Sequence, residues 1–372
     1  MDGSKSPKVL SLFSGCGGLD LGFSWAGYDV VWANEIDSNA VETYKKNLGD
    51  HIQCSDINTL KAEDLPDVDI IIGGPPCQSF SLAGKRMQDD PRSNLVWNFL
   101  RIVATKKPQV FLMENVPGLK SGKDKDGKTI LSQLIAEFSL LGYNVSTFIL
   151  NAADYGVPQR RRRLFVIGNL EGLAIPSPPP THAARIEDLL FDLALPWVSS
   201  GEAIDDLSSP SLDGSAVPYR FAPRCNYQEF MRKNNGGKVL NHQIPYMSET
   251  DMKIIMAVRP GGNYMDVPDE IATKRIMNFK KSGGRTTTYG RLHPEKASYT
   301  LNTYFSRPNV GCNIHFSEDR LITIREGLRL QSFPDDFVVY STSKSGAYKQ
   351  VGNAVPPLLG RAIAEEILAV LR

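Results

Sequence analysis

The tightest limit on the fold comes from short apolar runs in the first half of the chain, spaced by helical patterns. Residues 8–13, 29–34, 69–73 and 110–114 read as strands, and residues 19–26, 38–47, 95–106 and 130–141 carry apolar positions at helical spacing. The runs VDIIIGG and VFLMEN are apolar on both faces, as parallel strands covered by helices on each side must be. The expected fold class is therefore α/β, with a doubly wound, mostly parallel, Rossmann-like sheet. At 372 residues the chain is too long for one ordinary core, so a second, smaller module is expected. The segment PSPPP at 176–180 ends the first region, because proline continues neither helix nor strand. Beyond it, up to about residue 305, Gly/Asn/Ser-rich clusters such as NNGGK and KKSGGR read as loops suited to recognition. The last helix, near residues 358–371, is expected to pack back on the first domain. The domains are accordingly 1–180 plus 350–372, and 181–349.

Composition excludes several classes. No apolar run approaches the roughly 18 residues of a membrane span, and the polar N-terminus has no secretory apolar stretch, so a cytoplasmic protein is expected. The five cysteines (Cys16, Cys54, Cys77, Cys225, Cys312) are scattered, with no C-x-x-C, so neither a disulfide framework nor a metal site is expected. A net charge of +1 gives no global pull on an acidic polymer, which leaves nucleic-acid binding to local basic patches.

The chemistry-bearing segments fall at the ends of the strands, where open α/β sheets bind ligands. After the first strand comes FSGCGGLD (13–20), whose Gly15, Gly17 and Gly18 allow close backbone approach to a nucleotide-like ligand. A dinucleotide fingerprint needs glycine where Asp20 stands, which disfavours a dehydrogenase. Glu35, in NEID, is placed to accept hydrogen bonds from a ribose, and Asp56, in CSDI, to take an adenine amino group. Together they favour S-adenosylmethionine. In GGPPCQSFS (73–81), Cys77 follows two prolines on a rigid turn that presents a nucleophile at the sheet edge. The strand VFLMENV brings the carboxylate of Glu114 to the same edge. In QRRRRLFVIG (159–168), strand alternation is expected to put Arg161 and Arg163 on one face and Arg160 and Arg162 on the other.

In this order, and followed by REGLRLQSFPDDF (325–337) and YKQVGNAVPP (348–357), these segments resemble the DNA (cytosine-5)-methyltransferase family, in its bacterial modification type. The resemblance implies transfer of a methyl group from S-adenosylmethionine, leaving S-adenosylhomocysteine, to C5 of a cytosine flipped out of a specific double-stranded DNA sequence. Cys77 is then the nucleophile at C6, Glu114 the group at N3 and the exocyclic amine, Arg163 the arginine at O2, and Arg161 its companion. Phe13 stacks on adenosine, Ile36 and Ile57 adjoin Glu35 and Asp56 in the cofactor site, Pro76 shapes the active-site loop, and Asn353 lies beside the cofactor pocket. Ser81, Lys85 and Arg92 match phosphate-gripping positions, while Thr300 and Tyr304 match the landmark of a target-recognition domain at about 169–298. The resemblance further implies a cytoplasmic, nucleoid-associated monomer, of a restriction-modification system whose endonuclease forms no stable complex with it. Two alternatives stand beside it: a branch acting on transfer-RNA cytosine, and an inactive DNA-binding homologue.

Overall fold

The computed structural model describes residues 6–76, 95–123, 127–184 and 194–371. Cys77, Ser81, Lys85 and Arg92 lie outside them. The chain divides into two compact units. The first comprises Met1–Asn151, Arg162–Pro179 and Pro357–Arg372; the second comprises Ala152–Arg161 and Pro180–Pro356.

The first unit is built on β1 (Lys8–Leu12), α1 (Gly18–Trp25), β2 (Asp29–Glu35), α2 (Ser38–Asn47), β3 (Ile52–Cys54), β4 (Ile70–Gly73), α3 (Leu95–Lys106), β5 (Val110–Asn115), α4 (Ile130–Leu140) and β6 (Asn144–Asn151). It is completed by β8 (Arg162–Asn169) and the last helix, Pro357–Leu371, while β7 (Gln159–Arg160) belongs to the second unit. The seven-stranded sheet runs β3-β2-β1-β4-β5-β8-β6. β1 to β5 are mutually parallel, whereas β8 is antiparallel to both β5 and β6. Strand order reverses at β1 and β4, so a crevice for a ligand opens beyond their carboxyl ends.

The apolar runs fold as their two-sided pattern requires. Val9, Leu10, Leu12, Ile70, Ile71, Ile72, Val110, Phe111 and Leu112 are all fully buried. Each such side chain contributes roughly 1.5–3 kcal/mol by leaving water, which outweighs any local preference of so short a strand. Phe111 anchors the core, stacking on Phe138 with centroids 3.9 Å apart and meeting Tyr143 edge-on at 4.9 Å. The last helix does pack on this unit: the Tyr28 hydroxyl donates to the Ala364 carbonyl at 3.0 Å. Helix starts follow capping chemistry, with the Asp37 carboxylate accepting from Asn39 N–H and the Thr129 hydroxyl from Ser132 N–H.

The second unit has short elements and holds them differently. Helix Ile324–Leu330 starts with a capping box between Thr323 and Glu326. On it, the fully buried Arg329 reaches Asp335 at 2.6 and 2.7 Å and Asp206 at 3.1 and 3.2 Å. The equally buried Arg325 donates to the carbonyls of Leu240, Pro334 and Phe337 at 2.9, 3.1 and 2.8 Å. Arg320 forks onto both oxygens of Glu326 at 2.8 and 2.7 Å. Such buried charges persist only when every donor finds an acceptor. Among the described residues, no helix is long and apolar enough to cross a membrane.

Candidate active site

The turn after β1 is forced by its backbone. Phe13 and Gly15 take left-handed φ values of 54° and 57°, and Gly17, which precedes α1, takes 91°. A β-carbon on Gly17 would lie 2.3 Å from Leu48 Cδ1 and 2.9 Å from the Tyr44 ring, so α2 permits no side chain there. A β-carbon on Gly15 would meet nothing within 4 Å, so that glycine faces open space. The half-buried carboxylate of Glu35, at the end of β2, spans this turn and its own: one oxygen accepts from Gly15 N–H, the other from Ile36 and Asp37 N–H, all at 2.9 Å. The structure thereby joins Gly15, Glu35 and the exposed Ile36 into one cradle. The open face of Gly15, the acid beside it and an exposed apolar side chain fit an adenosine-bearing ligand.

The other expected cofactor residues divide. Asp56 accepts from the backbone and side-chain amides of Asn58 at 2.9 and 2.8 Å, capping the turn Ile57–Thr59. Ile57, beside Asp56, is 3% exposed, and its side chain packs in the main apolar core. Gly18 starts α1, and Pro76 is exposed. Asn353 ends helix Lys344–Asn353 in the second unit.

Beneath the turn lies a buried network that motif reading overlooked. Asp20 accepts from the Ser11 and Tyr44 hydroxyls, both at 2.8 Å, and His51 Nε2 is 3.0 Å from the same Tyr44 oxygen. Burial pushes the Asp20 carboxyl up to about 6. Asp20 therefore shapes the glycine turn from behind and is no ligand contact.

At the carboxyl end of β5, the Glu114 carboxylate pairs with Arg163 Nε at 2.9 Å, their side chains 12% and 13% exposed. The pairing follows from register: β8 runs antiparallel beside β5, with Asn115 opposite Leu164 and Glu114 opposite Phe165, so Arg163 falls just past the end of β5. Burial lowers the affinity of Arg163 for its proton, and the Glu114 charge acts against that shift. The Asn115 amide donates to the Pro75 carbonyl at 2.9 Å, fastening the turn that leads to Cys77. A β-carbon on Gly74 would come within 3.1 Å of the other Glu114 oxygen, so this turn lies against the acid.

Arg161 departs from expectation. The strand is broken at that residue, so Arg161 and Arg163 do not alternate along one face. Fully buried in the second unit, Arg161 donates to the carbonyls of Leu301, Gly352 and Asn353 at 3.1, 2.9 and 3.4 Å. Gln159 works alongside it, donating to the Leu330 carbonyl and accepting from Leu301 N–H, both at 3.1 Å. Arg161 thus ties together the segments around 301 and 353. Thr300 is exposed and donates its hydroxyl to the Arg160 carbonyl at 2.8 Å, and Tyr304 is 56% exposed.

Comparison with known proteins supplies the family. A sequence model described as C-5 cytosine-specific DNA methylase matches residues 7–369. Type II methyltransferase M.NgoFVII of Neisseria gonorrhoeae is 36% identical over 99% of this chain and 88% of its own. Type II methyltransferase M.DdeI of Desulfomicrobium norvegicum is 37% identical over 97% and 88%. Among solved structures, a putative DNA modification methyltransferase encoded within an E. coli prophage superposes with a TM-score of 0.74 at 26% identity, covering 98% of this chain and 99% of that one. The glycine cradle, the paired acid and arginine at the strand ends, and sequence similarity along almost the whole length agree: the chain belongs to the C-5 cytosine-specific DNA methylase family, whose activity is DNA (cytosine-5)-methyl transfer.

Proposed function

We propose that the protein transfers a methyl group from S-adenosylmethionine to C5 of a cytosine flipped out of a specific double-stranded DNA sequence, through a transient bond between Cys77 and cytosine C6. The observation that carries this reading is the Glu114–Arg163 pair, seated against the Gly74–Pro75 turn that runs into Cys77. The donor, when bound, supplies an electrophilic methyl group. The residues able to hold it are Phe13, Gly15, Gly17, Gly18, Glu35, Ile36 and Asp56, with Pro76 at the loop.

Cytosine C5 is too poor in electrons to react unaided. Addition of the Cys77 thiolate to C6 makes C5 enamine-like, and Glu114, hydrogen-bonded to the 4-amine, gives a proton to N3 that takes up the electron density this addition pushes into the ring. Arg163 holds the Glu114 carboxylate through one oxygen, and its guanidinium edge offers donors to O2. After C5 is methylated, loss of the C5 proton and departure of the Cys77 sulfur restore the aromatic ring and the free thiol. The target must leave the stack for any of this, at a cost of a few kcal/mol, and Ser81, Lys85, Arg92 and Tyr304 are the side chains assigned to hold the distorted strand. The first unit carries the chemistry and the second reads the sequence. The type II relatives favour a modification role beside a cognate restriction endonuclease.

Bisulfite sequencing of DNA from cells expressing the chain gives product and site together. Protected cytosines in one sequence context are expected with the intact protein, and none with Cys77→Ser. Protection that survives the serine substitution would contradict the mechanism; protection confined to transfer RNA would contradict the substrate.

A further inference from the structure

Arginines of this protein differ in what their guanidinium groups touch. Arg161, Arg320, Arg325 and Arg329 spend theirs on buried carbonyls and carboxylates, and Arg163 spends its on Glu114. Arg160 and Arg307 do not. Arg160 lies over the ring of Tyr299, with Cζ 4.1 Å from the centroid, and Arg307 lies 5.2 Å from the ring centroid of Tyr304. Both tyrosines are open to solvent, at 43% and 56% exposure. Neither arginine is in an ion pair among the described residues, and Arg160 Nε is buried without a hydrogen-bond partner.

The adjoining chain segments carry one sign of charge. Arg160 and Tyr299 face each other across the short parallel pairing of β7 with Ser298–Tyr299, and Thr300 is pinned to the Arg160 carbonyl. The two chain segments that meet there contain no Asp or Glu from residue 155 to 170, nor from residue 296 to 317. A guanidinium held against an aromatic ring loses little side-chain freedom on binding, and its terminal N–H groups suit the oxygens of a phosphate. Thr300, whose hydroxyl proton is committed inward, serves as the pin that fixes the two arms.

We propose that Arg160 on Tyr299 and Arg307 with Tyr304 form two pre-set phosphate clamps on the second unit, gripping the backbone of duplex DNA independently of base sequence. The proposal rests on the DNA reading above and adds residues to it.

Phosphate contacts reveal themselves in salt dependence, because each contact releases counterions. Binding of the full-length protein to a random-sequence DNA duplex would be measured between about 50 and 200 mM KCl. Arg160→Ala and Arg307→Ala should each lower the slope of log affinity against log salt by about 1, and the double variant by about 2. Arg160→Lys and Arg307→Lys should keep the slope, since a point charge still contacts phosphate. Melting temperatures of the same variants identify any loss of fold. A slope unchanged in the alanine variants, with steep wild-type binding retained, would overturn the clamps while leaving the DNA reading intact. Wild-type protein that binds the duplex with no salt dependence would take down both.

Discussion

The two units reach compactness by opposite routes. The first buries apolar side chains on both faces of a parallel sheet, with Leu112, Phe111 and Ile71 fully enclosed. The second threads arginines through its interior, so that Arg325 and Arg329 are as buried as any leucine and bond segments far apart in sequence. A sheet core is tolerant, because hydrophobic burial is non-directional; an ionic interior is exacting, because one missing partner leaves a charge stranded. The sheet offers strand ends on which Glu114 and Arg163 stay fixed, and the irregular unit offers loops held by buried ion pairs.

The largest expected effect tests that contrast directly. Arg329→Met takes the fully buried guanidinium from Asp206 and Asp335, leaving them Arg232 and the more distant Arg325, and should destabilise the second unit by about 3–5 kcal/mol. Trp197 belongs to the second unit, whereas Trp25, Trp32 and Trp97 belong to the first, so a variant keeping only Trp197 reports the second unit in denaturant titrations. Adding Asp206→Asn and Asp335→Asn to Arg329→Met should recover part of the loss; no recovery would mean that packing, not charge, is what Arg329 supplies. In the first unit, Leu112→Ala removes only apolar contacts and should cost about 3 kcal/mol, with no partner change able to restore it.

A smaller effect comes from the one buried carboxylate beneath the glycine turn. Asp20 holds its proton more tightly when folded than when unfolded, with burial as the largest cause. Its contribution is therefore present below about pH 4 and is lost as pH rises to about 6. Relative to wild type, Asp20→Asn should gain on the order of 2 kcal/mol across that window and then level off. Parallel stability profiles for the two proteins would show that Asp20 titrates as an ordinary acid.

The same contrast explains what could be read from the chain before its structure. Strands β1, β2, β4 and β5 and the last helix are legible because burial on both faces, or along one helical stripe, writes itself into the residue pattern. β6 is not legible, because NVSTFILN is half-buried along nearly its whole length and shows no clean alternation. Glu114 and Arg163 were legible as residues, and their pairing needed only that the next sheet neighbour be antiparallel. The placement of Arg161 was not, since alternation assumes an unbroken strand and the chain breaks there. Nor do Arg325 and Arg329 declare themselves, because a charged residue reads as surface until its distant partners, such as Asp206, are known.

The measurement that bears most directly on the chemistry is a covalent trap. A duplex carrying 5-fluorocytosine at the methylated position blocks loss of the C5 substituent, so the sulfur of Cys77 cannot depart. In the presence of S-adenosylmethionine, mass spectrometry should then find the protein joined to DNA through residue 77, with no adduct for Cys77→Ser. A duplex that the enzyme methylates in its ordinary form, yet whose fluorinated counterpart never becomes attached to that sulfur, would contradict the mechanism.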